Sequence, residues 1–576
     1  MRRARYLAVI GPAPTDGASL LASLRPAMPG AEVAIEREGL VLVAEPGRTA
    51  QLGDGTIVAG SLFERSGPRA GLPGRAISFD RLIEKCWGDY VAFAPDHAPD
   101  GARLLRAPMG GLPCYWTRHR QMTIVASDLE ALAAAGVPRP RADPAALARH
   151  LAAADIRTPE TCLAGIGEIQ GGEQVLVTGS AVERTIRWSP WAFAEGGYAW
   201  NPDEAARRVR DAATGAVTSL AGQSRSIVLK LSGGVDSSIV AACLTRSGTP
   251  FTALNLVTHD PAGDERDYAR LVTHHCGAPL VERFRDPSRV DLERSLAVRL
   301  PRPTVRNFLQ ETARIAAEAA TEAHADAIFD GGGGDNVFCS LLSARPAADC
   351  LLAGAGIGMF LKVARDIAEL APASLPAVAW RALAIAARAS PVFHLPLDLR
   401  FLSDEASAEA AKAATHSWLD PPRGALPGKA AHIAMIVAAQ SVAEGFDAED
   451  SLPTFSPLIS QPVVEACLQA PSWLWFDEGR NRALARRAFA SMLPTAVINR
   501  RSKGAPDSFI AELFERNRSK IRDMLLGGSL RRAGLLDADG LSDALGSEGP
   551  VRGHDFLRIM KLVDAEAWAR SWSLTA

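Results

Sequence analysis

Ser226-Ile-Val-Leu-Lys-Leu-Ser-Gly-Gly-Val-Asp-Ser-Ser238 is the stretch that decides the fold. Ser226 to Leu231 is a short apolar run that reads as a buried strand, and from Ser237 the residues continue at helical spacing. The glycines therefore fall at a strand-to-helix turn. Gly233 and Gly234 allow the chain to turn tightly and leave free amides at a helix N-terminus, where an anion binds. Ser232, Ser237 and Ser238 add hydroxyl donors, and Leu229 and Leu231 close the strand at the same place. Asp236 is foreign to a pure anion cradle unless a cation accompanies the phosphate. The Gly-Lys-Ser/Thr ending of a Walker loop is missing, so this is a phosphate loop of another kind.

Outward from this loop, Phe251-Thr-Ala-Leu-Asn-Leu-Val-Thr reads as a second strand and Asp264-Glu-Arg-Asp-Tyr-Ala-Arg-Leu-Val as a helix with an acidic first turn. Asp203 to Ala221, upstream, is helical in pattern. Strand and helix alternating at this spacing predict a parallel α/β sheet, whose ligands gather beyond the carboxyl ends of the strands. Val257 to His259 would then line an adenine pocket. A third strand, Ala327-Ile-Phe-Asp, runs into Gly331-Gly-Gly-Gly-Asp-Asn-Val-Phe. Four successive glycines cost conformational entropy, and they read as room for a ligand close to the backbone, beginning at Gly331 and Gly332. Asp335, which also suits a helix N-cap, would join Asp236 as a second carboxylate from a separate strand end, a donor set that fits Mg2+.

A chain of 576 residues exceeds one hydrophobic core and implies at least two domains. With 47% hydrophobic residues, 22% charged and a net charge of −2, its make-up is that of an ordinary soluble globular protein. Lys and Arg are scattered, which argues against a nucleic-acid partner. Met1-Arg-Arg-Ala-Arg-Tyr-Leu-Ala-Val-Ile-Gly-Pro is basic and then apolar, but the apolar part is too short for a signal sequence and reads as a first strand. Leu351 to Leu370 is interrupted by Lys362, Arg365, Asp366 and Glu369 and reads as an amphipathic helix, so no membrane insertion is expected. The eight cysteines stand singly, without Cys-x-x-Cys, which fits reduced thiols in a cytoplasm.

Residues 1 to about 145 are dense in strand-like runs, among them Leu40-Val-Leu-Val-Ala, Thr56-Ile-Val-Ala-Gly-Ser-Leu-Phe, Tyr90-Val-Ala-Phe-Ala and Thr123-Ile-Val-Ala-Ser. A Pro/Gly/Trp-rich connection, 186 to 203, marks a boundary. Cys86-Trp-Gly-Asp-Tyr-Val-Ala-Phe-Ala, Arg106-Ala-Pro-Met-Gly-Gly-Leu-Pro-Cys-Tyr-Trp, Ser127-Asp-Leu-Glu-Ala-Leu and Gly165-Ile-Gly-Glu-Ile-Gln-Gly-Gly-Glu-Gln-Val together resemble the amino-terminal glutaminase domain of asparagine synthetases. That domain uses a cysteine as its first residue, with the freed α-amine as base. Here Arg2 follows Met1 and the first cysteine is Cys86, so no glutamine hydrolysis is expected and the domain would scaffold or dock substrate.

The resemblance continues through most of the chain. The Ser-Gly-Gly-x-Asp-Ser loop is similar to the pyrophosphate loop of ATP pyrophosphatases that activate a carboxylate as an acyl-adenylate, and Asp335 falls where asparagine synthetases place a second magnesium-binding aspartate. Ser456-Pro-Leu-Ile-Ser-Gln-Pro-Val-Val-Glu465, Arg482-Ala-Leu-Ala-Arg486 and Asn499-Arg-Arg-Ser-Lys-Gly-Ala match later family motifs. The resemblance implies that Lys503 is the catalytic cation, that Arg482 and Arg486 present two guanidinia from one helical face toward phosphates, and that Glu444 falls near a family glutamate. It implies an α/β protein with an inactive, β-rich glutaminase-like domain at 1–190. A parallel-sheet ATP pyrophosphatase domain (adenine nucleotide alpha hydrolase-like) with a helical C-terminal part would follow at 204–576.

Asparagine synthetases carry a glutamate, and β-lactam synthetases a tyrosine, where this chain has Gly332; Asn336 also replaces an acid. The Gly331–Phe338 loop, the Ser456 segment and the Asn499 segment look most like lasso peptide cyclases, which join a peptide's amino terminus to an Asp or Glu side chain. That implies ATP and Mg2+ as cofactors, a precursor core peptide as substrate, and a leader peptidase and precursor-recognition protein as pathway partners. The alternatives are a β-lactam synthetase-like or asparagine synthetase-like enzyme acting on a small amino acid, and a catalytically silent ATP-binding scaffold.

Overall fold

The computed structural model describes residues 4–12, 16–65, 77–96, 101–178, 181–195, 201–304, 306–388, 392–393, 395–412, 416–443, 452–501, 507–546 and 553–574. The N-terminal part is a pair of six-stranded antiparallel sheets. Tyr6–Ile10 is apolar at every position because both of its faces are covered. Tyr6, Ala8 and Ile10 point into the space between the sheets with Leu42, Val91, Phe93 and Leu104. Leu7 and Val9, on the other face, share a core with Phe514, Ile559 and Trp568 from helices near the C-terminal end. The strand expected at the start of the chain is thus a central strand, paired with Leu40–Ala44 and Met122–Ala126.

The second part is built on five parallel strands. Helix α1 (Pro202–Ala221) leads into β1 (Ile227–Lys230), α2 (Val235–Ser247), β2 (Phe251–Val257), α3 (Arg266–Cys276), β3 (Leu280–Phe284), α4 (Leu309–Glu322) and β4 (Ala327–Phe329). After several helices, α5 (Pro427–Ala443), β5 (Thr454–Phe455) and α6 (Ala483–Phe489) follow. The strands lie in the order β3-β2-β1-β4-β5, with β1 paired to β2 on one side and β4 on the other. The chain reverses its winding between β1 and β4, so a crevice opens beyond their carboxyl ends, the place where open α/β sheets bind ligands. Both glycine-bearing loops leave the sheet there.

The expected strands of the parallel sheet are present, with two additions, Leu280–Phe284 and Thr454–Phe455. Leu280-Val-Glu-Arg-Phe was not expected as a strand; it lies at the sheet edge, half-exposed, and its two charged residues mask the pattern. Ala327–Phe329 is therefore the fourth strand of the parallel sheet in chain order, not the third. Among the described residues no helix is long and apolar enough to cross a membrane.

Candidate active site

From Lys230 the chain turns through Leu231–Gly234 into α2. The Leu231 N–H donates to the Leu254 carbonyl (2.8 Å), and the Asn255 amide donates to the Leu231 carbonyl (2.8 Å), so the loop starts from a pinned position. Gly233 has φ +68°, and a Cβ there would lie 2.4 Å from Tyr268 Cβ and 2.8 Å from Ala269 N, because the start of α3 rests on the loop. The Ser232 and Ser237 hydroxyls are 3.2 Å apart, and Ser232 Oγ accepts from the Gly234 N–H (3.3 Å). Arg500 braces the loop from outside: its guanidinium lies 4.0 Å over the Tyr268 ring, pairs with Glu265 (2.7 Å) and donates to the Ser232 carbonyl (3.4 Å). Arg500 stands inside the Asn499-Arg-Arg-Ser-Lys motif, yet nothing in the sequence linked it to a loop 268 residues away.

The second loop corrects the reading of the glycines as open room. A Cβ on Gly331 would lie 2.5 Å from Ser237 N, one on Gly334 2.5 Å from Asp236 Cβ, and one on Gly333, at φ +70°, 2.4 Å from Ile459. Gly331 and Gly334 let the loop lie directly against the N-terminus of α2, and Gly333 lets it pack on Ile459. Gly332 differs, since a Cβ there would meet only side-chain ends, Asp330 Oδ1 and Ser456 Oγ, each at 2.8 Å.

This close approach brings Asp236 and Asp335 together. Arg482 Nη1 donates to Asp236 Oδ2 at 2.9 Å and also to Asp335 Oδ1. Two carboxylates from different loops converge on one positive nitrogen, so the space between them is sized and charged for a cation. That arrangement fits Mg2+, which takes one or two carboxylates and completes its shell with water and phosphate oxygens. Asp236 and Asp335 would hold the ion, which when bound neutralises charge on the phosphates of ATP. Among the described residues no set of three or more His, Cys, Asp or Glu side chains forms a closed metal site.

Other expected site residues fall differently. Leu229, Leu231 and Val257 are buried in the sheet core at 0–2% exposure, so only their main chain is available to a nucleotide. Ser238, within α2, is fully buried and offers no hydroxyl to a ligand, whereas Ser232 is partly open. Arg482 and Arg486 do not share a helical face. Arg482 is the N-cap of α6, with φ +54°, and its side chain leaves the helix line. Arg486 is spent on the carbonyls of Asn481 (3.1 Å), Ile498 and Arg500 (3.0 Å), fixing the segment that carries Arg500. Burial, with the like charges of Arg482 and Arg480, pushes its pKa down to about 10. Lys503 and Glu444 lie outside the described residues. Cys86, in the N-terminal part, is buried, and that burial pushes its thiol up to about 12, the opposite of an activated nucleophile.

A parallel sheet with a serine- and glycine-lined phosphate loop at its winding reversal, facing a paired-carboxylate loop, defines a nucleotide-activating enzyme. The chain belongs to the asparagine synthase family, whose model matches residues 208–570, and it is an ATP-dependent amide-forming enzyme. Two solved structures are similar over 49% of the chain. One is the glutamine phosphoribosylpyrophosphate amidotransferase from B. subtilis complexed with ADP and GMP (10% identity, 81% of that chain, TM-score 0.21). The other is described as the allosteric regulatory enzyme of purine biosynthesis (11% identity, 80% of that chain, TM-score 0.20). No curated protein is similar enough to count as a relative.

Proposed function

We propose that this enzyme is a lasso peptide cyclase. The Asp or Glu side chain of a precursor core peptide attacks the α-phosphate of ATP, forming an acyl-adenylate and releasing pyrophosphate. The peptide's own α-amine then displaces AMP and closes an isopeptide-linked macrolactam. The observation that carries this reading is Gly332, which stands where related enzymes of small substrates place a glutamate or tyrosine. A threaded peptide differs from those substrates in carrying its own amine, and an intramolecular amine gains rate only when its geometry is held. A leader peptidase and a precursor-recognition protein would supply the substrate, in a cytoplasm whose reducing state suits eight unpaired cysteines.

The first test supplies the purified enzyme with ATP, Mg2+ and a precursor peptide with its leader protease. AMP, pyrophosphate and a product lighter than the linear core by one water are expected. ADP in place of AMP would rule out adenylation. Asp236→Ala and Asp335→Ala should each reduce AMP formation to background while the fold, checked by circular dichroism, is kept.

A further inference from the structure

At the winding reversal of the sheet, between the two loops, lies a charged cluster that the adenylation chemistry does not use. Lys230, the last residue of β1, pairs through Nζ with Asp330 Oδ2 at 2.7 Å. Asp330, the residue after β4, accepts through Oδ1 from the Ser456 hydroxyl (2.6 Å) and from the Gly332 N–H (2.9 Å). The Lys230 and Asp330 side chains keep 24% and 20% of their surface, so the pair is neither core nor open exterior. The carboxylate lies where a side chain on Gly332 would begin, 2.8 Å from that missing Cβ. The crevice therefore still has an acid at this place, delivered from two residues upstream.

A carboxylate has about four acceptor positions, and Lys230, Ser456 and Gly332 occupy three. Burial would raise the Asp330 pKa, but the Lys230 ammonium and the Ser456 and Gly332 donors hold it below the usual carboxylate range. A carboxylate kept ionised in this way is a poor proton acceptor at neutral pH and a good anchor for an N–H donor.

We propose that Asp330 is the anchoring residue for the acceptor amine, replacing in function the side chain that Gly332 lacks. Its remaining lone pair accepts one amine N–H and turns the nitrogen lone pair toward the acyl carbon. The N–C bond forms, the C–O bond to AMP breaks, and AMP departs with the electron pair and with the proton displaced from the amine. The inference rests on the amide-forming reading above and deepens it.

The test separates the two half-reactions. Asp330→Asn is nearly isosteric, keeps an oxygen for Gly332 and removes the charge. Pyrophosphate release and amide formation are measured together in two arms, a synthetic core peptide with a free N-terminus, and aspartate with ammonium. Hydroxylamine, which traps acyl-adenylates without an anchor, is added in parallel. The ratio of amide to pyrophosphate should fall roughly ten- to a hundredfold in D330N while the ratio of hydroxamate to pyrophosphate holds. S456A, which removes one hydrogen bond and leaves the charge, should lower the amide ratio less, and it carries the test if D330N does not fold. A proportional fall of amide, hydroxamate and pyrophosphate would make Asp330 a structural strut and overturn the proposal. Amide formation only in the aspartate arm would defeat the peptide reading while leaving Asp330 to be judged by the same ratio. Amide in neither arm defeats both.

Discussion

Arg482 is the residue that joins the carboxylates of Asp236 and Asp335. Its guanidinium lies between Asp236 and Asp335 and holds the position that a metal ion would take. Replacing Arg482 by Met keeps length and removes charge. The metal-free variant should lose about 2–3 kcal/mol, discounted from a fully buried pair because Asp335 is partly open. Added Mg2+ should then raise the melting temperature of R482M more than that of the wild type, because the ion no longer competes with a guanidinium. Equal shifts in the two proteins would remove Arg482 from this role. Asp236 and Asp335 were legible in the sequence because each sits in a short motif at a strand end. Their shared partner was not, since it lies 246 and 147 residues away. Arg486 was misread for a local reason: helical spacing pairs residues i and i+4 only when both lie inside the helix, and Arg482 lies at its cap.

The element that sets the site's geometry is the glycine loop after β4. Its glycines act by letting another element approach, and Gly331 carries the tightest constraint on α2. A Cβ there would press on Ser237 N at 2.5 Å and on the Asp236 carbonyl carbon at 2.9 Å, backbone atoms that cannot rotate away. Gly331→Ala should therefore cost about 1–3 kcal/mol and shift α2 and Asp236 with it, so that AMP formation falls further than stability alone explains. Gly215→Ala, in α1 with no atom within 4 Å of the added methyl, is the control and should gain about 0.5–1 kcal/mol. Thermal midpoints and AMP yields of both variants decide the point; a G331A enzyme with wild-type activity would show that the loop yields. The alternation of strand and helix was readable from residue pattern, because buried parallel strands are apolar throughout. Strand order was not, since β1 and β4 are neighbours across about a hundred residues with no local signal of it.

At the scale of the molecule, one carboxylate ties the N-terminal sheets to the synthetase part. Glu168 is fully buried and takes Arg106 (3.0 Å) and Arg157 (3.0 Å) from the N-terminal region and Arg302 (2.5 Å) from the far side of the connection. Arg302 also donates to the Thr158 (3.1 Å) and Glu160 (2.9 Å) carbonyls, and its neighbour Pro301 accepts from the Cys162 N–H (2.9 Å). The sequence marked the Pro/Gly/Trp-rich connection as a boundary but not the surfaces it packs on. Trp188 and Trp191 share a core with α1 and with Phe63 and Trp87 of the N-terminal sheets. Glu168 itself sits in a segment that the sequence marked only by its resemblance to a glutaminase domain. Burial pushes its pKa up, and the guanidinia of Arg157, Arg302 and Arg106 overcome that and hold it down at about 2. A carboxylate depressed from 4.5 stabilises the fold fully above pH 4.5 and loses its contribution as pH falls through about 2. Glu168→Gln leaves three guanidinia buried around a neutral amide and should cost about 3–5 kcal/mol at neutral pH. The gap in thermal midpoint between wild type and E168Q should narrow steadily from pH 4.5 downward, because acid neutralises the wild-type side chain as the substitution does. Amide hydrogen exchange should rise first in Gly167–Glu168 and around Arg302, the two sides of the junction. A gap that stays constant with pH would mean that the arginines are held by shape rather than by this charge.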